Sequence, residues 1–219
     1  MVDGHGKDEE LPTGENLGKH GWETRPADAA SLRAAMGLFP TGVSVVTTGS
    51  GEGTEAMTAN AVLSVSLDPL LFLVSVHRDA RLNARIREEG FYAVNLLAAD
   101  QEGLSRLFSS PERSSGLPAA NSLGGGSGTT GAPLAAGAMA AIECEMEAIY
   151  PGGDHDLFMG RVTAVHMGNA RKGPLIFHEG SYPSLGGASQ QGGDFGAFVD
   201  SVRGFDARMK PRSPRGGRR

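Results

Sequence analysis

Residues 55–77, EAMTANAVLSVSLDPLLFLVSVH, contain the pattern on which the predicted fold depends. Small polar side chains come first, and two apolar runs, residues 62–67 and 70–76, follow on either side of Asp68-Pro69. Proline donates no ladder hydrogen bond and disfavours helix in the preceding residue, so the runs are predicted to be separate strands. The segment 58–61, Thr-Ala-Asn-Ala, would let a flat or anionic ligand approach the backbone. An ordinary strand start is the alternative interpretation.

Short strands dominate the rest of the predicted chain. A first helix is predicted from the N-cap Asp28 to Pro40, with Leu32, Met36 and Phe39 on one face. A second helix is predicted to end at Gly90, and a third to cover residues 100–108. The predicted strands are residues 43–48, 57–67, 70–76, 91–97, 138–150, 156–166 and 174–178, with the first two joined as a hairpin. This order predicts a mainly β protein, an antiparallel barrel or sandwich with accessory helices.

Two segments carry more specific predictions. In residues 138–150, Ile142, Cys144 and Met146 are predicted to be buried, and Glu143, Glu145 and Glu147 to face water. Residues 109–133 are rich in Gly and Ser and are predicted to form a mobile loop. That loop contains Gly126-x-Gly128-x-x-Gly131, but Ala132-Pro133 follows it where a dinucleotide-binding motif would begin a helix.

Length and composition limit the classes of protein. The 219 residues, with a net charge of -5 and 39% apolar residues, predict one domain over residues 28–188. A disordered extension, residues 1–27, and a Gly-rich basic tail, residues 189–219, are predicted to flank it, with a short amphipathic helix possible at 195–205. No apolar run approaches the roughly 20 residues that span a bilayer. With one cysteine, Cys144, and no apolar N-terminal leader, the cytoplasm is the predicted location.

Known catalytic motifs are few. The chain contains no Walker loop, no HExxH and no CxxC, and its six histidines lack ligand spacing, so no metal site is predicted.

The basic tail would suit nucleic acid, although a solvated tail is favoured and nucleic acid is not the predicted partner. His155 stands between two acids in Gly153-Asp154-His155-Asp156, where its imidazole could meet a phosphate or a polarised ring. Ordinary turn chemistry explains this sequence equally well.

Taken together, seven segments of the chain resemble the flavin reductase-like family, the reductase components of two-component flavin-dependent monooxygenases. They are LFPTGVSVVTT (38–48), AMTANAVLSVSLDPLLFLVSV (56–76), HRDARLN (77–83), FYAVNLLAADQEGLSRLF (91–108), GAPLAAGAMAAIECEM (131–146), GDHDLFMGRVTAV (153–165) and PLIFHEGSY (174–182). The resemblance covers about residues 28 to 185. It implies a Greek-key-like, FMN-binding split β-barrel that forms a homodimer with sites at the subunit interface.

The resemblance also implies roles for individual residues. The backbone N–H groups of residues 57–60 would lie along the edge of the flavin ring; these residues are Met57, Thr58, Ala59 and Asn60. Ser64 would support the ribityl or phosphate end of the flavin. The turn that would hold the flavin phosphate contains Arg78, Ala80, Arg81, Leu82 and Asn83. Tyr182 matches the aromatic residue of the closing Gly-x-Tyr, and His155 is the catalytic candidate beside the nicotinamide nucleotide. The family often has a hydroxyl side chain where this chain has Ala61.

The activity implied by this resemblance is an NAD(P)H:flavin oxidoreductase. NADH or NADPH would donate a hydride to free FMN or FAD, and the reduced flavin would supply a partner monooxygenase. Two alternatives remain at this point: a non-catalytic flavin-binding redox carrier, and a split-barrel flavin oxidase of the pyridoxamine-phosphate type. The Gly-Asp-His sequence at residues 153–155 favours the reductase over both.

Overall fold

A computed structural model describes residues 21–185 of the chain. The predicted C-terminal tail and most of the N-terminal extension lie outside these residues, as does the possible helix at 195–205. The helices are α1 (Ala29–Gly37), α2 (Arg81–Glu89), α3 (Glu102–Ser109) and α4 (Gly116–Leu123). The strands are β1 (Thr41–Gly42), β2 (Ser44–Thr48), β3 (Glu55–Ala59), β4 (Val62–Leu67), β5 (Leu70–His77), β6 (Phe91–Leu96), β7 (Gly124–Ser127), β8 (Pro133–Ala135), β9 (Ala140–Gly152), β10 (His155–Met167) and β11 (Ile176–Phe177).

Seven of these strands form one antiparallel sheet in the order β3-β2-β6-β9-β10-β5-β4. The strands β3 and β4 are therefore the two outer strands, yet only Asn60 and Ala61 connect them. A flat seven-stranded sheet would separate its outer strands by about 29 Å, whereas this connection reaches about 10 Å. The sheet therefore has to curl until its edges approach each other, which confirms the predicted antiparallel barrel with accessory helices.

The predicted return strand over residues 57–67 is wrong in one respect, because the chain changes partners in its middle. Residues 55–59 pair with β2, and residues 62–67 pair with β5. Between them Ala61 accepts a hydrogen bond from the Ser75 backbone N–H at 3.0 Å, which already belongs to the second pairing. A continuous apolar pattern does not show which neighbour each half of a segment pairs with.

The barrel interior is centred on β6, β9 and β10, where Tyr92 and Phe158 are fully buried. The Tyr92 hydroxyl contacts the carbonyls of Phe72, at 2.8 Å, and Phe158, at 3.2 Å. Burial raises the pKa of Tyr92 well above its usual range, so the phenol stays protonated as a donor. Its ring reaches Gly160 on β10, where there is room for no side chain.

Glu143 was predicted to face water, and this prediction is wrong: the residue is fully buried, whereas Glu145 and Glu147 are exposed. Its carboxylate accepts hydrogen bonds from the backbone N–H groups of Thr129, at 2.9 Å, and Thr130, at 2.7 Å, and contacts His166. Burial raises its pKa, but these hydrogen bonds outweigh that effect and lower it to about 2. Alternation along one strand cannot reveal a segment that folds over it.

That covering segment belongs to residues 109–133, for which a mobile loop was predicted. The structure instead contains helix α4 and the β7–β8 hairpin there. The buried Ala119 and Leu123 of α4 pack into a core cluster beneath it, and the Gly116 N–H donates to the Thr54 carbonyl at 2.8 Å. Glycine composition lowers intrinsic helix propensity, but burial of apolar side chains compensates here.

The first helix begins where it was predicted to begin. The Asp28 side chain accepts a hydrogen bond from the Ser31 N–H at 2.8 Å, and α1 ends at Gly37, before Pro40. Of the predicted apolar face, Leu32 and Met36 lie on α1 and are 63% and 54% exposed, whereas the prediction is wrong for Phe39, which follows the end of the helix. Among residues 21–185, no helix is long and apolar enough to cross a membrane.

The contact between Tyr92 and Gly160 gives a direct test of core packing. A Cβ at residue 160 would lie 2.5 Å from the Tyr92 hydroxyl and 2.6 Å from the Cys144 Cβ. We expect Gly160→Ala to lower the free energy of unfolding by about 1–3 kcal/mol in urea denaturation, because the tyrosine must move. Gly103→Ala, at an exposed position of α3, is the matched control, since its added Cβ would have no atom within 4 Å outside its own helix backbone and chain neighbours. Equal stabilities of the two variants would contradict this account of the core.

Candidate functional site

An open groove of about 330 Å³ lies beside the end of β3. It brings together four of the residues that the sequence singled out: Thr58, Ala59, Asn60 and Tyr182. The other lining residues are Val43, Arg106, Ser109, Phe177 and Gly180. Small side chains on one wall and aromatic rings on the other would accommodate a flat molecule.

Helix α3 fixes the geometry of this groove through Ser105. The Thr58 hydroxyl donates to the Ser105 carbonyl at 2.7 Å, and the Ser105 hydroxyl lies 2.9 Å from the Tyr182 hydroxyl. The Tyr182 ring meets Phe177 edge-on at 5.3 Å, and the Arg106 guanidinium lies 5.0 Å from the Tyr182 ring centre. Both walls are thus tied to one helix, and Arg106 at the rim is itself paired with Glu102 at 2.7 Å.

The backbone of β3 contributes as much as its side chains. As an outer strand, β3 uses alternate N–H and C=O groups for pairing with β2, and the remaining groups point away. The Ala56 carbonyl belongs to the outward set, because it accepts a hydrogen bond from Arg113 Nε at 2.9 Å. Thr58 is two residues further along and has the same orientation. Its N–H therefore faces outward and can donate to a ligand.

A second group of predicted residues lies at the start of α2. Ala80 is the N-cap residue and supplies no side-chain hydrogen bond, so the first turn keeps free backbone N–H donors. Arg78 and Arg81 extend beside this turn and are each about half exposed. Free N–H groups together with arginines form a site suited to an anion such as a phosphate.

Not every predicted residue of this turn can contact a ligand through its side chain. Leu82 is fully buried, and Asn83 is buried with its amide donating to Asp156 at 3.0 Å. Hydrogen bonds from Arg87, Asn83 and Arg78, in that order of importance and opposed by some burial, lower the pKa of Asp156 to about 2. Asp156 is therefore ionised at neutral pH, and its carboxylate holds Arg78 and Asn83 of this turn in place.

The sequence did not single out Arg113, which joins the same site. Its carbonyl accepts from Arg81 Nη2 at 2.7 Å, and Arg81 Nε lies 3.4 Å from Glu55 Oε1. Burial and the neighbouring Arg81 charge lower the pKa of Arg113, partly opposed by Glu55. The other Glu55 oxygen, Oε2, is buried and has no hydrogen-bond partner. No motif marks Arg113, because it reaches β3 from a segment that composition assigned to a loop.

Other predicted residues are placed elsewhere. Met57 packs against the barrel core and is paired with Val46 of β2, so it belongs to the set of β3 residues whose backbone groups point away from the groove. Ser64 is exposed on β4, opposite Phe72, and does not line the groove. His155 also lies outside the groove, as the first residue of β10. The β9–β10 turn just before it is joined to the α2 turn by a 3.0 Å hydrogen bond from the Arg78 N–H to the Asp154 carbonyl. Among residues 21–185, no cluster of three or more His, Cys, Asp or Glu side chains could hold a metal ion.

Comparison with known proteins identifies the architecture. Residues 36–186 match the flavin reductase like domain. An NADH-dependent FMN reductase of Streptomyces nodosus subsp. asukaensis is 50% identical over 154 residues, covering 70% of this chain and 83% of that protein. An NADH-dependent FAD reductase of Streptomyces globisporus is 41% identical, covering 69% of this chain and 83% of that protein.

Solved structures agree with these sequence matches. The NADH:FAD oxidoreductase of Streptomyces globisporus C-1027, in complex with NAD and FAD fragments, has a TM-score of 0.69 at 36% identity and covers 77% of this chain and 99% of its own. The flavin reductase component of a bacterial two-component tryptophan halogenase has a TM-score of 0.67 at 41% identity, and the match covers 71% of this chain and 97% of that one. Both matches confirm the split-barrel fold. The chain therefore belongs to the flavin reductase-like family.

Proposed function

We propose that the protein is an NADH:flavin oxidoreductase that reduces free FMN or FAD and delivers the reduced flavin to a separate monooxygenase. The observation that carries this proposal is the arrangement along β3. A groove for a flat ring lies at one end of the strand, and the Arg81–Arg113 pair lies at the other. Membership of the family and relatives that use NADH support the same assignment.

The length of β3 fits the proposed ligand. Glu55, beside the arginines, and Thr58, in the groove, are three residues apart, which corresponds to about 10 Å along a strand. The ring would lie along Thr58–Asn60 next to Tyr182, and the phosphate would meet the α2 turn and Arg81. The unpartnered Glu55 oxygen is a buried acceptor in this anion site, so a bound water or a ligand hydroxyl would complete it.

The protein's contribution to hydride transfer would be orientation and charge stabilisation. Bound flavin supplies the hydride acceptor, and that chemistry requires no nucleophile from the chain. The outward Thr58 N–H and the Asn60 side chain would donate to the ring edge, where reduction increases the negative charge. Arg106, which is paired with Glu102 at 2.7 Å, would keep its guanidinium against the Tyr182 ring on the same side. The groove is open, which suits a flavin that enters and leaves as a substrate.

We also propose the boundaries of the catalytic domain and the cellular location of the protein. The catalytic domain spans residues 28–188, and residues 1–27 and 189–219 are extensions outside it. Because NADH is held inside the cell, the cytoplasm is the proposed location.

A steady-state assay tests the proposed activity. Purified protein is given NADH and free FMN, then FAD, and NADH oxidation is followed by absorbance. We expect flavin-dependent turnover that saturates in both substrates, because the open groove exchanges its flavin. A yellow protein that retains flavin and does not oxidise NADH would contradict the reductase assignment and support a carrier.

The role of Arg81 is tested by comparing two flavins. We expect Arg81→Gln to raise the KM for FMN about 3- to 10-fold, the lower end for a charge-assisted bond because the residue is half exposed. The KM for riboflavin, which has no phosphate, should not change. Arg85→Gln is the matched control on the same helix, since Arg85 pairs with Glu88 at 2.8 Å. Equal effects on FMN and riboflavin would show that Arg81 does not meet the phosphate.

We further propose that the protein forms a homodimer through the β4–β5 hairpin. β4 is an outer strand, and Leu63, Val65, Leu67 and Leu70 on this hairpin are 41–58% exposed. The exposed apolar face of α1 is a second surface of the same kind. Apolar side chains concentrated on an unpaired edge are typical of a surface covered by another chain, and a second copy of this chain is the partner that the family resemblance favours.

Light scattering coupled to size exclusion tests the dimer. We expect the wild-type protein to elute as a dimer and Leu63→Asp to shift it toward the monomer, because a charge would be buried at the interface. Leu117→Asp is a suitable control, since Leu117 is 46% exposed but lies on α4, away from the hairpin. A wild-type monomer, or equal dissociation of both variants, would contradict the proposed interface.

A further inference from the structure

Two histidines meet at the end of the β5–β10 pair. His77, the last residue of β5, is the cross-strand partner of His155, the first residue of β10. Their rings are 5.1 Å apart and nearly perpendicular, at 81°. Asp154 lies between them: its Oδ1 is 2.7 Å from His155 Nδ1, and its Oδ2 is 3.9 Å from His77 Nε2. We call these three residues the His77–Asp154–His155 cluster.

The partners of each ring determine which nitrogen carries the proton. Asp154 is ionised, because its hydrogen bond with His155 lowers its pKa, and an ionised carboxylate can only accept. His155 Nδ1 must therefore be the donor, which leaves Nε2 as a free acceptor in the neutral ring. His77 has the opposite arrangement. Its Nδ1 lies 3.2 Å from the Asp79 backbone N–H, which can only donate. The proton of neutral His77 is therefore on Nε2, directed toward Asp154.

Other charged groups near the cluster do not reverse this assignment. On the β5 side, the Asp79 carboxylate is 4.0 Å from His77 Nδ1, too long for a hydrogen bond, and 94% exposed. The neighbouring Arg78 side chain is occupied by Asp156 at 3.2 Å. On the β10 side, Asp156 is also bound by Arg87 at 2.7 Å. Asp154 is therefore the carboxylate that hydrogen-bonds His155, whereas its 3.9 Å distance from His77 Nε2 is, like that of Asp79, an electrostatic contact longer than a hydrogen bond.

We propose that His77 and Asp154 are positioning residues that fix His155 in its Nδ1–H tautomer and direct Nε2 toward the nucleotide. In this arrangement Nε2 of neutral His155 accepts a hydrogen bond from the carboxamide N–H of the nicotinamide. The tautomer assignment rests on the hydrogen-bond geometry and on the ionised carboxylate of Asp154, whereas the nucleotide contact rests on the proposed reductase function. An orienting carboxylate on one nitrogen is the usual way in which proteins select the role of the other.

Long-range nitrogen–proton NMR of histidine-labelled protein tests the tautomers without nucleotide, in the part of a pH series where the spectra report neutral rings. We expect His155 as Nδ1–H and His77 as Nε2–H, each favoured about tenfold because one hydrogen bond selects it. Asp154→Ala should return His155 toward the Nε2–H form that free imidazole side chains prefer. His77→Phe keeps the ring contact and removes the second contact with Asp154, so a smaller shift in the same direction is expected.

Asp79→Ala is the matched control, because it removes a carboxylate from the same surface while keeping the backbone N–H that holds His77. It should leave both tautomers unchanged. Wild-type His155 found mainly as Nε2–H would overturn the inference. An equal response to Asp79→Ala and Asp154→Ala, or no response to His77→Phe, would do the same.

Kinetics then test the nucleotide contact. We expect Asp154→Ala to raise the KM for NADH about tenfold while the KM for FMN stays constant, and Asp79→Ala to change neither. A KM for NADH that stays constant in Asp154→Ala would overturn the proposed contact even if the tautomers are as expected. Wild-type protein that does not oxidise NADH would overturn the reductase function instead, and the NMR result distinguishes that failure from a failure of the cluster.

Discussion

The structure depends on one short connection, the two residues Asn60 and Ala61 between the outer strands of the sheet. Because this link is far shorter than the width of a flat seven-stranded sheet, the strands must curl and bring the β3 and β4 edges close together. The same link lines the groove through Asn60. Closure of the barrel and formation of the candidate site are therefore consequences of one constraint.

Closure leaves the outward backbone groups of β3 unpaired by the sheet. In a larger sheet such groups would pair with a further strand. Here Arg113 donates a hydrogen bond to the Ala56 carbonyl, and the Thr58 N–H remains available beside Tyr182. A redox cofactor needs donors at its ring edge that are fixed before it arrives, since reorganisation would cost free energy during the reaction. An edge strand held by Ser105 provides such donors.

Charge is organised around the α2 turn in a similar way. Arg81 and Arg113 repel each other, and the carboxylates hold the arginines in place, Glu55 beside Arg81 and Asp156 beside Arg78. Asp156 remains ionised because it accepts several hydrogen bonds. The turn carries arginines and free helix N–H groups together, and the β9–β10 turn with His155 is attached to it through Arg78. The proposed flavin and nucleotide contacts are thus neighbours in structure.

The sequence by itself determined the local elements: Asp28 begins α1, Gly90 ends α2, and Asp68-Pro69 separates β4 from β5. These features depend on neighbouring residues, so periodicity and capping preferences are sufficient to predict them. The order of the segments resembling a known family placed Thr58, Asn60 and Tyr182 in one site, and the structure brings these three together.

Only the tertiary structure decided the features that join distant segments. The burial of Glu143 follows from a glycine-rich segment folding over it, and Arg113 reaches β3 from a stretch whose composition predicted a loop. His77 and His155 are far apart in the chain and meet because β5 and β10 pair in one register. A sequence pattern records the preference of each segment, whereas strand pairing and burial are set by which segments the closed barrel brings into contact.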